Sequence, residues 1–351
     1  MNERVRLRAR AIYHSGKLFV AGLLGNEKKI GEYIPIHGNP DELHMEHRGD
    51  KHFGEVIYEI KEAGRGYGFF AEFKTLIENL AFADDYGFIP CVRYGQDYLY
   101  FEPSRLNENP FEYYFEPIGK EVAVDKAKNV IVSKPEYGQW IEFLEGVDGY
   151  HLTEKMIGRF TEIIKKYIRM KSDIQNDFDC NFEILKEKSK IANKKILGVH
   201  YRGTDFNAGY DKHPKNQKLD EIIKIVKETL DTTDMQGVFL ATDDERALLA
   251  FQKEIGDKLS YCEDIMRSDG NVSIAFSEDN RSEHKYRLGL EVLRDAYFLS
   301  KCDGLICGVS QVATASQLLK YSRDEKFEFL YIFDLGMNNN LKKFNSKNKR
   351  R

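Results

Sequence analysis

The sequence has no apolar stretch near the roughly 20 residues that a membrane-spanning helix needs, and its charged N-terminus lacks the apolar core of a signal peptide. It has no Walker loop, no nucleophile elbow with a Ser-His-Asp set, and no DxD between apolar strands that would hold a divalent metal. The HxxH spacing of His44 and His47 falls short of the HExxH of a zinc protease and sits among charged, loop-like residues. Five cysteines (Cys91, Cys180, Cys262, Cys302, Cys307) are odd in number and form no CxxC pair. That pattern argues against a disulfide framework and for a reducing compartment, with the thiols as small core residues. Cytoplasmic location is therefore expected. A net positive charge is also missing: the net charge is −4, so the whole chain carries no electrostatic footprint for nucleic acid. The main basic cluster is the tail Lys342–Arg351. It reads either as a solvated terminus or as a weak, peripheral attraction to anionic lipid at the inner face of the membrane.

What is present is globular. The 351 residues are 42% hydrophobic and 31% charged, enough for two α/β domains that each bury a core. In the second half, strand and helix alternate. Lys194–His200 reads as a buried strand, Leu219–Leu230 as an amphipathic helix and Gly237–Ala241 as a strand. Thr242 to Glu245 fits a helix-capping box. Leu288–Lys301 reads as a helix, Gly304–Cys307 as a strand, Gln311–Tyr321 as a helix and Phe327–Phe333 as a strand. Such alternation predicts a parallel sheet covered on both faces.

The first half shows one unit of the same kind. Glu55–Ile60 is a strand, Gly64, Gly66 and Gly68 a glycine-rich turn, Phe70–Asp84 a helix and Gly87–Val92 a strand. Tyr98–Lys134 has no clean period and is expected to pack irregularly around the first sheet, and Thr153–Lys190 reads as one or two helices joining the halves. The expected domains are 1–190 and 191–340, each α/β, followed by the tail 341–351.

Ligands of parallel α/β sheets bind beyond the carboxyl ends of the strands. Three polar clusters fall there: His200 to Asp205, Thr242 to Asp244, and Gly308 to Gln311. Arg202 can grip a phosphate with a forked pair of charge-assisted bonds. Ser310 and the N–H groups opening the Gln311 helix form a second anion site. Together they suit a nucleotide-sugar diphosphate, a leaving group that gains charge in the transition state. Each piece has a plainer reading: Arg202 as a salt bridge, Asp243 and Asp244 as a helix cap and first-turn charge, Ser310 as a cap, His200 as a core histidine.

The order and spacing of these pieces resemble the α-1,6- and α-1,2-fucosyltransferases. Gly198–Asp205 (GVHYRGTD) is similar to their HxRRxD motif, His213-Pro214 to the HP that follows it, Val238–Asp244 to a second motif, and Asp295–Ser300 with Leu305–Val312 to a third. The matches cover about residues 195–320. The resemblance implies a GT-B fold of two Rossmann-like domains facing a cleft, GDP-fucose as donor without metal or other cofactor, and inversion at the sugar carbon. It also implies that Arg202 and Ser310 hold the β-phosphate beside Gln311, and that His200 and Asp295 read the guanine. Asp295 also reads as a polar-face helix residue. Gly203 replaces the second arginine of the motif, which leaves the donor sugar open, and the family's catalytic glutamate has no match. An inverting transfer needs a base near the acceptor hydroxyl; Asp211 and Asp205 are the carboxylates of this loop, with Asp211 the better match and Asp205 suited to fixing the loop. Gly68 joins the donor-binding candidates through its turn, although a tight turn for close packing is an equal reading. The partners expected are a nucleotide-sugar and an oligosaccharide or glycan-precursor acceptor. A different nucleotide-sugar, or a non-catalytic glycan- or nucleotide-binding module, are the alternatives. The aromatic stretch Phe111–Phe115 suits core packing or stacking on a sugar.

Overall fold

The computed structural model describes residues 43–64, 66–134, 150–189, 191, 193–268, 273–340 and 342. The chain before Leu43 and the basic tail beyond Lys342 lie outside them. The first sheet contains β1 (Met45–Glu46), β2 (Ile57–Ile60), β3 (Ile89–Val92) and β4 (Val130–Val132), in the order β1-β4-β2-β3. β2 runs parallel to both β3 and β4, and β1 is antiparallel to β4. Between β2 and β3 runs α1 (Phe69–Asp85), almost wholly buried on its apolar face. The irregular stretch after β3 packs inward as expected. Phe111, Tyr113, Tyr114 and Phe115 are each under 5% exposed, and Phe111 stacks on Phe115 at 5.3 Å. These rings are core, and none is placed to meet a sugar.

Two helices follow where one or two were expected: α2 (Glu154–Tyr167), capped by the Thr153 side chain, and α3 (Ser172–Lys188). The second sheet is built by β5 (Lys195–Tyr201), the short α4 (Thr204–Asn207), α5 (Leu219–Thr232), β6 (Met235–Thr242), α6 (Glu245–Ile255) and β7 (Leu259–Ser260), then α7 (His284–Lys301), β8 (Gly304–Gly308), α8 (Gln311–Tyr321) and β9 (Phe329–Phe333). Its five strands are parallel, in the order β7-β6-β5-β8-β9. Val238, Phe239 and Leu240 at its centre are fully buried, each contributing about 1.5–3 kcal/mol. One detail differs from expectation. Asp244 caps α6, accepting from the Arg246 N–H at 2.9 Å. Thr242 is still in the strand, where its hydroxyl accepts from the Asp244 N–H.

One hydrophobic core joins side chains of both halves, among them Phe69, Phe73, Tyr114, Leu288, Phe298 and Leu318. Tyr114 lies parallel to Tyr286 at 5.5 Å and 4°, and its hydroxyl donates to the Tyr286 carbonyl at 2.9 Å. Gly289 permits this approach, because a Cβ there would meet the Tyr114 hydroxyl at 2.1 Å. The fold is thus GT-B-like: two α/β sheets, the first parallel but for its edge strand β1 and the second parallel throughout, each followed by helices, with a cavity between them.

Candidate functional site

The strand order turns around between β5 and β8: β6 and β7 extend to one side, β8 and β9 to the other. Such a reversal leaves a crevice at the carboxyl ends. Register places His200 beside both Ala241 and Cys307, and Tyr201 beside Thr242. A cavity of about 400 Å³ opens at that point, lined on one wall by His200, Arg202, Asp205, Asp243, Ser310 and Gln311. The opposite wall includes Gly68, Phe69 and Tyr100, and α7 contributes Glu291 and Asp295. The N-termini of α1 and α8 both face it, giving two positive ends of helix dipoles.

Arg202 is the sole Lys or Arg among the described lining residues. Its Nη1 pairs with Asp243 Oδ2 at 2.5 Å and its Nη2 with Asp205 Oδ1 at 2.9 Å. Nη2 also donates to Ser273 Oγ at 3.1 Å. Burial opposes its charge, but Asp243 and Asp205 outweigh it and hold the guanidinium firmly protonated. Asp243 organises the whole turn, accepting from the Gly203 N–H at 3.0 Å and the Thr204 hydroxyl at 2.6 Å. The turn is strained: Thr204, β-branched and fully buried, has φ +22°, a conformation costing about 1–3 kcal/mol. Gly203 has a steric reason. A Cβ there would stand 2.3 Å from Asp244 Cβ, so any side chain at 203 requires Asp244 or the turn to shift.

His200 is 5% exposed, and burial with the nearby Arg202 lowers its pKa to about 3; the ring is neutral. Ser310 Oγ lies 3.2 Å from His200 Nδ1 and accepts from the Ala313 N–H at 3.1 Å. A hydroxyl has two acceptor lone pairs and one hydrogen, so Ser310 bonds the His200 ring in either tautomer and ties it to the start of α8. Asp295 contrasts with the other acids. Burial pushes its pKa up to about 7 against the opposing pull of Arg267 and Arg294. No hydrogen bond or ion pair to another described residue reaches its carboxylate. Glu291, also in the wall, is held by Arg281 Nη1 at 2.5 Å.

Other expected residues are placed elsewhere. Asp244 does not line the cavity; it caps α6 and pairs with Arg246 at 2.7 Å. Asp211 does not line it either, its Oδ1 accepting from the Asn340 N–H at 3.1 Å. Gly68 lines it as the residue preceding α1. A Cβ at Gly68 would meet no atom within 4 Å, so closeness does not demand glycine there. His47 bonds the Lys128 carbonyl at 2.7 Å, and no group that could hold a metal ion occurs among the described residues. Ser273, Tyr100, Tyr150 and Phe206 line the cavity without any sequence signal that singled them out.

No protein-family model matches the chain, and no curated protein matches it. Among solved structures it is similar to NodZ α-1,6-fucosyltransferase soaked with GDP-fucose, with 16% identity, 76% of this chain and 92% of that chain covered, and a TM-score of 0.44. A second structure, fucosyltransferase NodZ from Bradyrhizobium, gives 15% identity, 76% and 93% coverage and a TM-score of 0.43. POFUT1 in complex with GDP-fucose gives 12% identity, 80% and 97% coverage and a TM-score of 0.41. No helix among the described residues is long and apolar enough to cross a membrane.

Proposed function

We propose that this protein is an inverting glycosyltransferase whose donor is a nucleotide-sugar, GDP-fucose first among them, and whose acceptor is a hydroxyl of a glycan or its precursor. The observation that carries the reading is Asp295, a carboxylate in the cavity wall with no hydrogen bond or ion pair among the described residues, on the same cavity as the neutral imidazole of His200. A carboxylate offers two acceptors and the imidazole one donor. Guanine presents the complement, two N–H donors beside a carbonyl. The anion would be taken by Arg202, Ser310 and the N–H groups that open α8 at Gln311, with the N-terminus of α1 after Gly68 across the cavity. Asp243 and Asp205 pre-set the guanidinium for that contact, and the leaving diphosphate gains charge that these groups stabilise. The proposal includes neither a metal nor a further cofactor. Five free cysteines fit a reducing compartment, and the proposal places the protein in the cytoplasm, with the basic tail as its one route to peripheral membrane contact.

Thermal melts with GDP-, UDP- and dTDP-sugars in the presence of a chelator test the class and the donor together. GDP-fucose and GDP raise Tm, and UDP and dTDP compounds do so less. If another nucleotide-sugar gives the larger shift, the class stands and the donor changes. If none shifts Tm at millimolar concentration, the reading fails.

A further inference from the structure

We propose that His213 is the general base of the transfer, an assignment that rests on the glycosyltransferase reading above. Neither carboxylate of its loop is placed for the task. Asp205 Oδ1 is committed to Arg202 at 2.9 Å, and an ion-paired carboxylate is a weakened base. Asp211 lies outside the cavity. What Asp211 supplies is its backbone. The His213 ring lines the cavity, and its Nδ1 stands 3.2 Å from the Asp211 carbonyl oxygen. A carbonyl can only accept, so Nδ1 carries the ring hydrogen and Nε2 carries the lone pair.

The ring is held by its surroundings. Phe206 meets it edge-on at 6.2 Å and 87°, and Tyr210 and Tyr150 flank it at 5.8 and 6.2 Å. The same Phe206 ring lies 5.9 Å from Arg202 Cζ, so one aromatic ring separates the phosphate-gripping guanidinium from the imidazole. A donor sugar beyond the diphosphate would lie against this aromatic group. The backbone of the loop is fixed by the chain's last described stretch. Asn338 donates its N–H to the His213 carbonyl at 2.8 Å and its side-chain amide to the same oxygen at 3.1 Å. The Asp211 N–H donates to the Lys342 carbonyl at 2.7 Å. Among the described residues, charged groups near the ring include Asp211 and Lys212 on its own loop, Lys342 against Tyr210, and Arg202 beyond Phe206.

In the step, the acceptor oxygen attacks the anomeric carbon from the face opposite the diphosphate. Its proton passes to His213 Nε2, the bond from the anomeric carbon to the β-phosphate oxygen breaks, and the electron pair leaves with the diphosphate. General-base help of this kind is worth about 10²–10⁴-fold in rate.

Two measurements decide the assignment. Nitrogen-15 spectra of the free protein at pH 8, with the His213 signals identified by their loss in His213→Gln or His213→Asn, report its tautomer without any donor. The hydrogen is expected on Nδ1; a hydrogen on Nε2 overturns the proposal. Turnover of GDP-fucose with water as acceptor is then compared between wild type and His213→Gln across pH. The variant is expected to keep the Tm shift with GDP-fucose, to turn over at least about 100-fold more slowly, and to lose the acidic limb of the pH–rate profile. A variant as fast as wild type overturns the assignment, as does a wild type that binds GDP-fucose and turns it over at no pH. Failure of GDP-fucose to bind strikes the donor reading instead, and the tautomer still decides for or against His213.

Discussion

Two walls of the cavity treat their acids in opposite ways. At the end of β5 and β6, Asp205 and Asp243 are spent on Arg202, the Gly203 N–H and the Thr204 hydroxyl. On α7, Asp295 is half-buried with no hydrogen bond or ion pair among the described residues, and desolvation pushes its pKa up to about 7. A carboxylate partly withdrawn from water and left unpaired costs folding free energy, so the first wall is paired within the protein and the second is open to what binds. Preorganisation and recognition are thereby divided between two elements.

Removing Arg202 tests the first wall and has the largest expected effect. Arg202→Ala strands Asp205 and Asp243 in the interior, a loss of about 3–5 kcal/mol. Its melt is expected to be much lower than wild type and unchanged by GDP. A full-strength GDP shift in this variant would show that the guanidinium is scaffold alone.

The opposite outcome is expected on α7. Asp295→Asn weakens GDP binding at least about tenfold, one or more hydrogen bonds being lost, without lowering the Tm of the free protein at pH 8. The sign follows from the pKa. Asp295 titrates near 7 in the folded chain against an ordinary 3.8, so the folded state holds the extra proton between those values. Stability from this group is present at low pH and lost as pH rises through about 7. Accordingly, the variant gains most over wild type above that pH. Guanine N–H groups favour the carboxylate, so GDP affinity of the wild type rises with pH up to about 7 and then levels, with one proton released below it. Calorimetry in two buffers of different ionisation enthalpy measures that proton.

Gly203→Arg is a smaller perturbation and restores the arginine pair of the resembled motif. Because a Cβ at 203 meets Asp244, it is expected to cost about 1–3 kcal/mol and to bring no gain in GDP affinity; a tighter complex would mean the turn can be rebuilt. Asp244→Ala is the smallest, about 1 kcal/mol for a lost helix cap, with GDP binding intact by titration.

The second sheet was readable from its punctuation. Apolar runs such as Val238–Ala241 alternate with helices whose ends are marked, and α8 begins at Gln311 behind the Ser310 cap as its sequence predicts. β4 was not, because a three-residue strand shows no period and takes its partners from distant chain. The capping box failed locally: Asp244 outcompetes Thr242 once the strand runs on through Thr242. In the site, Arg202, His200, Ser310 and Asp295 share one cavity, as their order along the chain suggested. Ser273 reaches Arg202 from a loop 71 residues away, a contact no spacing encodes. His213 stood in plain view as part of a His-Pro pair, but its chemistry depends on where the Asp211 carbonyl points.

The most direct test of the division between the walls is titration calorimetry of GDP and UDP into wild type and Asp295→Asn, with chelator at pH 7.5. The account predicts one GDP per wild-type chain, bound at least about tenfold more tightly than UDP, and a variant in which that preference collapses. Equal affinity for GDP and UDP in the wild type, or a preference that survives Asp295→Asn, would contradict it.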